Sequence, residues 1–167
     1  MTTNMNEIER EIYEYIKEHR PRYKTCVLAT SKDNIPRATP VMYHFEGLNI
    51  WISTENNNEG KVDNIRINPK VSLAIFDPVE SEYGWDDTCG LQLWGNGEII
   101  KHTENEEMFN HAWEMTGSDK ALQAFGHESP IDIAKNNLIY IKVTPEKISF
   151  VDSKKKRGYK VVWTREK

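Results

Sequence analysis

Cysteine is almost absent from this chain. Only Cys26 and Cys89 occur, each inside an apolar run, neither in a Cys-x-x-Cys pair nor beside clustered histidines. That spacing argues against a zinc site. Two such thiols point to a reducing compartment, although sequence alone leaves a disulfide between them open. An excess of one charge is missing too: 22 basic and 26 acidic residues are interspersed, for a net charge of -4. No overall field draws the protein onto nucleic acid or an anionic membrane. No apolar run approaches the roughly 20 residues that span a bilayer, and Met1 to Glu9 is polar and acidic. The expectation is a soluble, cytoplasmic protein with neither a nucleic-acid nor a membrane partner. Repeats, low-complexity tracts and long linkers are also lacking. One domain over residues 1–167 is therefore expected, large enough to bury a core without disulfide or structural metal.

What is present is mostly strand. Residues Asn6 to Arg20 space Ile8, Ile12, Tyr15 and Ile16 as one helical stripe, with Pro21 read as the stop. Thr25 to Thr30 and Ile35 to Phe45 read as a hairpin turning near Asp33-Asn34, and Leu48 to Ser53 as a third strand completing a meander. A polar loop, Thr54 to Gly60, leads to a short helix over Lys61 to Ile67 that stops before Pro69. Val71 to Phe76 and Gly90 to Ile100 read as strands, the second with Gly95 and Gly97 at bulge or bend positions. A helix over Glu104 to Met115 and another over Lys120 to Phe125 follow. Asn137 to Val143 and Lys147 to Val151 read as strands around a Thr144-Pro145 turn, and Lys160 to Trp163 as the last strand. The pattern predicts a mainly β protein, an antiparallel barrel of six to seven strands with flanking helices.

The order of Leu28-Ala-Thr30, Pro36-Arg-Ala-Thr-Pro-Val-Met42, Trp51-Ile-Ser-Thr54, Gly60-Lys61 and Asn64 to Leu73 resembles the pyridoxamine 5'-phosphate oxidase-like split-barrel family. The likeness continues through Leu91 to Ile99 and Ile139 to Ile148, and runs from about Glu7 to Asp152. It implies a homodimer with FMN in clefts between the subunits. It also implies that Arg37, Ala38, Thr39, Pro40, Val41 and Met42 run along the flavin, that Ser53 and Thr54 hydrogen-bond the ribityl-phosphate end, and that Lys61 meets the phosphate. Residue chemistry agrees: a lysine in a helix's first turn suits an anion, and the planar fork of Arg37 suits phosphate or paired carbonyls. Taken singly, each is more often a solvated surface residue.

Departures from the family pattern limit the function. Glu59 stands where relatives often carry Ser or Thr, and Glu55 adds a second acid to the loop. A carboxylate beside a phosphate is unfavourable, so Glu59 is expected to point away unless the site is remodelled. True pyridoxamine-phosphate oxidases have a substrate lysine where Met42 stands and a carboxy-terminal signature that Tyr159 to Lys167 lacks. Arg157 lies near a substrate-phosphate arginine of that family, but in a Lys-rich turn that reads as solvated. The likeness is therefore to the general-stress and nitroimidazole-reductase-like branch. Its implied chemistry is hydride or electron transfer between flavin and a small organic substrate, with non-catalytic flavin storage or sensing as the alternative and a deazaflavin or haem as alternative cofactors. No catalytic residue and no metal ligand is assigned. Trp85, Trp94, Trp113 and Trp163 read mainly as core or interface residues. His44, His102, His111 and His127 lack ligand spacing, and only His44 lies close to the proposed flavin strand.

Overall fold

The computed structural model describes residues 5–56, 59–124 and 130–166. Helix α1 (Glu7–Arg22) starts at Asn6, whose side chain accepts from the Glu9 N–H at 2.9 Å while the Glu9 carboxylate accepts from the Asn6 N–H at 3.0 Å. This reciprocal cap fixes the first turn, and Ile12 and Ile16 bury completely. Pro21 does not stop the helix, contrary to the expectation from sequence, but sits inside its last turn. There the missing N–H removes a single bond, and the Tyr23 N–H still closes on the His19 carbonyl at 2.9 Å.

Strands β1 (Thr25–Lys32) and β2 (Ile35–Met42) pair along their whole length. Asp33 and Asn34 connect them with φ of 53° and 61°, the two left-handed residues of a type I′ turn. The run expected to continue to Phe45 breaks at Tyr43. Beyond it, β3 (His44–Glu46) pairs with β4 (Asn49–Glu55) rather than with β1. The expected meander of these first strands is replaced by two hairpins, β1 with β2 and β3 with β4. The cause is local: Tyr43 is fully buried, its hydroxyl meets His19 Nδ1 at 3.0 Å, its N–H donates to the Lys24 carbonyl, and Arg20 Nε donates to its own carbonyl. These contacts turn the chain out of the β1 register.

Four further strands, β5 (Lys70–Phe76), β6 (Cys89–Ile100), β7 (Leu138–Asp152) and β8 (Lys160–Thr164), complete an all-antiparallel sheet. Its order is β2-β1-β5-β6-β7-β4-β3, with β8 on β7. The antiparallel split barrel is as expected, with eight strands among the described residues: the break at Tyr43 adds one, and the two runs read around Pro145 merge into one. The anticipated Thr144-Pro145 turn is absent: β7 is one strand of 15 residues. It bends at a bulge where Trp94 opposes Lys147 but Gly95 opposes Pro145. A Cβ at Gly95 would lie 2.2 Å from the Thr144 carbonyl oxygen, so only glycine admits this approach, and the bulge accommodates a proline.

The curled sheet encloses a core that includes Leu28, Ile50, Ile52, Leu73, Leu93 and Ile141. A second core lies on the other face of β4 and β7, where Trp51 and Tyr140 pack with Phe109, Ala112 and Trp113. The helices here are α3 (Glu106–Thr116), α4 (Ser118–Ala124) and α5 (Pro130–Asn137); α5 was not anticipated, and Phe125 and His127 lie outside the described residues. Cys26 and Cys89 are free and buried, and burial pushes both thiols up to about 12. Among the described residues no helix is long and apolar enough to cross a membrane.

Candidate functional site

The split lies between β2, which pairs only with β1, and the later part of β4, which β3 leaves uncovered beyond Trp51. The two strands approach each other across it. Each presents an edge of backbone donors and acceptors there. One end of the split is closed by α2 (Lys61–Ile67), the short helix expected from sequence. It is fastened to β1: Asn64 Nδ2 donates to Thr30 Oγ1 at 2.9 Å, Lys32 pairs with Asp63 at 2.7 Å, and Asn68 Nδ2 donates to Ser31 Oγ at 3.0 Å. Thr30 faces Arg37 across the hairpin, so this fastening brings the start of α2 to the arginine.

Strand alternation sorts the residues named on β2. Arg37, Thr39 and Val41 share one face with their partners Thr30, Leu28 and Cys26, from exposed Arg37 to buried Val41, whereas Ala38, Pro40 and Met42 share the other and are all exposed. Arg37, Thr39, Glu59, Gly60 and Lys61 line a cavity of about 160 Å³. Gly60 has φ 60° and ψ -125°, a backbone that side chains rarely adopt, and a Cβ there would sit 3.0 Å from the Arg37 guanidinium carbon. The fork of Arg37 thus lies over bare backbone.

Electrostatics mark this corner. Burial, and next the Arg37 charge, hold the Lys61 ammonium below its ordinary pKa, with Glu55 acting the other way. Neither Arg37 nor Lys61 makes an ion pair or hydrogen bond among the described residues. The Thr39 hydroxyl is buried without a partner. Such a hydroxyl costs roughly 1–3 kcal/mol when nothing satisfies it. Two cations and an unpaired donor around one small cavity have the chemistry of an anion site. Glu59 lines the same cavity and is exposed to solvent.

The other residues named from sequence fall elsewhere. Val41 is buried in the barrel core, leaving only its backbone for a ligand. Ser53 and Thr54 lie outside the cavity and on opposite faces of β4: Ser53 on the Trp51 side, opposite Tyr140, and Thr54 on the Ile50 and Ile52 side. His44 faces Arg20 at 3.4 Å, and burial together with that cation lowers its pKa to about 4, so it is neutral near pH 7. Trp113 and Trp163 are buried, the latter donating to Glu9 at 2.9 Å; Trp85 and Trp94 are exposed beneath Arg157 and Lys147. No cluster of three metal-ligating side chains occurs among the described residues.

A larger cavity, of about 400 Å³, escaped the sequence reading. Glu46, Trp51, Asn105, Glu107, Met108, His111 and Lys142 line it, drawn from β3, β4, β7 and the start of α3. Residues so far apart in the chain leave no spacing signal.

Residues 11–152, most of the chain and all of the Arg37–Lys61 corner, match the model of the family described as pyridoxamine 5'-phosphate oxidase. The chain belongs to that family. Solved structures with the same fold include a protein related to general stress protein 26 from Clostridium acetobutylicum, 19% identical, with TM-score 0.65, covering 93% of this chain and 95% of that one. A NimC/NimA family protein from the same organism is 16% identical with TM-score 0.63, over 96% of this chain and 100% of its own. A FAD-binding protein from Mesorhizobium loti is 15% identical with TM-score 0.57, over 81% and 90%. No curated protein matches. Met42 is 54% exposed on the outer face.

Proposed function

We propose that the chain is a flavin-dependent oxidoreductase that binds FMN with its phosphate between Arg37, Thr39 and Lys61. The observation that carries this reading is the pair of unpaired cations beside a partnerless hydroxyl, over a glycine in a backbone conformation that side chains rarely adopt. A phosphate supplies the missing charge and acceptors. The free edges of β2 and β4 offer backbone groups for the polar rim of the ring, and Ser53 or Thr54, on opposite faces, offers one hydroxyl toward the ribityl chain. When bound, the flavin supplies hydride or electron transfer to a small organic substrate, and the protein supplies position and electrostatics.

The working unit in this reading is a homodimer. One uncharged row, Pro40-Val27-Ala74-Gln92-Ser149-Val162, crosses six strands on the outer sheet face, flanked by Ala38, Ala29 and the exposed Met42, Phe76 and Trp94. No helix covers it among the described residues. Lys147 and Lys160 stand on the same face, and a second copy is the natural cover for the uncharged row between them. Two free buried thiols fit a reducing, cytoplasmic setting.

The visible spectrum of the purified protein tests the cofactor. Flavin bands, with FMN identified by mass after release, support the reading. A haem or deazaflavin spectrum, or a colourless protein that takes up no added FMN, overturns it. Anaerobic mixing with NADH or NADPH, followed by an acceptor, separates an oxidoreductase from a storage protein: rapid reduction and reoxidation are incompatible with storage alone.

A further inference from the structure

The cavity between β3, β4, β7 and α3 shares no lining residue with the Arg37–Lys61 corner. Its wall holds Trp51, which is 0% exposed and whose indole N–H has no acceptor among the described residues. The Lys142 ammonium lies 5.2 Å over the same ring and forms no ion pair among the described residues. Glu46 lies 3.1 Å from His111 Nε2, and the His111 ring stands edge-on to Trp51 at 5.6 Å between centroids. Two donors thus lack acceptors, and Met108, Trp51 and His111 supply apolar and aromatic wall. Glu107 on the rim limits the negative charge such a space accepts. A volume of about 400 Å³ holds a small organic molecule.

We propose that this cavity binds a small aromatic monocarboxylate, with the Trp51 N–H and the Lys142 ammonium as donors to its carboxylate and its ring against Met108 and His111. The half-buried Lys142 side chain and the exposed His111 move aside to admit it. The site is independent of the flavin reading and stands or falls without it.

The test is a titration of the ¹⁵N-labelled full chain with benzoate, read at the tryptophan indole N–H resonances, with Trp51→Phe identifying its own signal. The expected result is a saturable downfield shift of the Trp51 resonance in the millimolar range or below, while those of Trp85 and Trp94 stay still. Lys142→Met weakens the affinity at least about fivefold, and benzamide, lacking the charge, binds more weakly than benzoate. The affinity comparison with Lys142→Met needs no resonance assignment, so a Trp51→Phe chain that fails to fold leaves the test intact. No saturable shift, an affinity unchanged in Lys142→Met, or benzylamine binding as well as benzoate would each overturn the proposal.

Discussion

Two cavities on one sheet handle charge in opposite ways. At the Arg37–Lys61 corner two cations meet, with the exposed Glu59 on the same cavity, Lys61 is held below its ordinary pKa, and a buried hydroxyl has no partner. In the Trp51 cavity Lys142 shares the wall with Glu46 and Glu107, Glu46 lying 3.1 Å from His111, and what is missing is an acceptor for the Trp51 N–H. The first arrangement is costly until an anion arrives; the second sets one lysine among two acids and selects by hydrogen bonding and shape. Charge left unpaired at a protein surface is thus informative only together with its neighbours. Lys142 and Lys61 are both lysines beside a cavity, but only Lys61 faces a second cation.

Exchanging charge at the two sites breaks the comparison most sharply. Lys61→Glu is expected to weaken FMN binding roughly 100-fold or more, since it removes a charge-assisted contact and adds repulsion, while Lys142→Glu leaves FMN affinity within about twofold. Calorimetry on both variants measures this. A smaller effect comes from pH. An anion binds the protonated lysine, and a depressed pKa means that Lys61 loses its proton earlier than an ordinary lysine as pH rises. FMN affinity should therefore fall, on the order of tenfold, on the alkaline side, and Lys61→Arg should carry tight binding to higher pH. Dissociation constants measured across pH decide it.

Thr39→Val sets affinity against stability. Removing an unpartnered hydroxyl should raise the apo protein's stability by about 1 kcal/mol, yet cost the complex roughly fivefold in FMN affinity. Thermal unfolding with and without FMN reads both signs. The smallest effect concerns His44, which faces Trp51 across β3 and β4. Its folded pKa of about 4 lies below the unfolded value, so the unfolded chain binds more protons between them. Stability then declines as pH falls from about 6.5 toward 4, and His44→Asn should flatten that limb by about 1 kcal/mol after allowance for solvent screening. Urea unfolding at pH 7 and pH 4.5 measures the difference.

Local chemistry made much of this readable in advance. Asp33-Asn34 announced a tight hairpin, Pro69 bounded α2, and Gly95 marked a bend. What Gly95 could not announce was its partner: the bulge spares β7 a turn at Pro145 only because two distant strands meet there. Tyr43 likewise looks like one more strand residue until α1 folds back and grips it through His19 and Arg20. Ser53 and Thr54, read together from one motif, stand on opposite faces of β4 by the two-residue period of a strand. Helix α5 was hidden in a short polar stretch whose stability comes from packing, Ala134 entering the core beside Tyr140. Arg37 and Lys61 were legible because one motif order carried them. The Trp51 cavity was not, because its walls come from residues 46 to 142 and no linear pattern joins them.

The phosphate corner is best judged by comparing FMN with riboflavin, which lacks only the phosphate, in the native chain and in Lys61→Ala. The account predicts a preference for FMN of roughly 100-fold or more in the native chain, falling to about tenfold or less in the variant, while riboflavin affinity hardly changes. Equal affinity for the two flavins in the native chain, or a preference that survives Lys61→Ala undiminished, would contradict it.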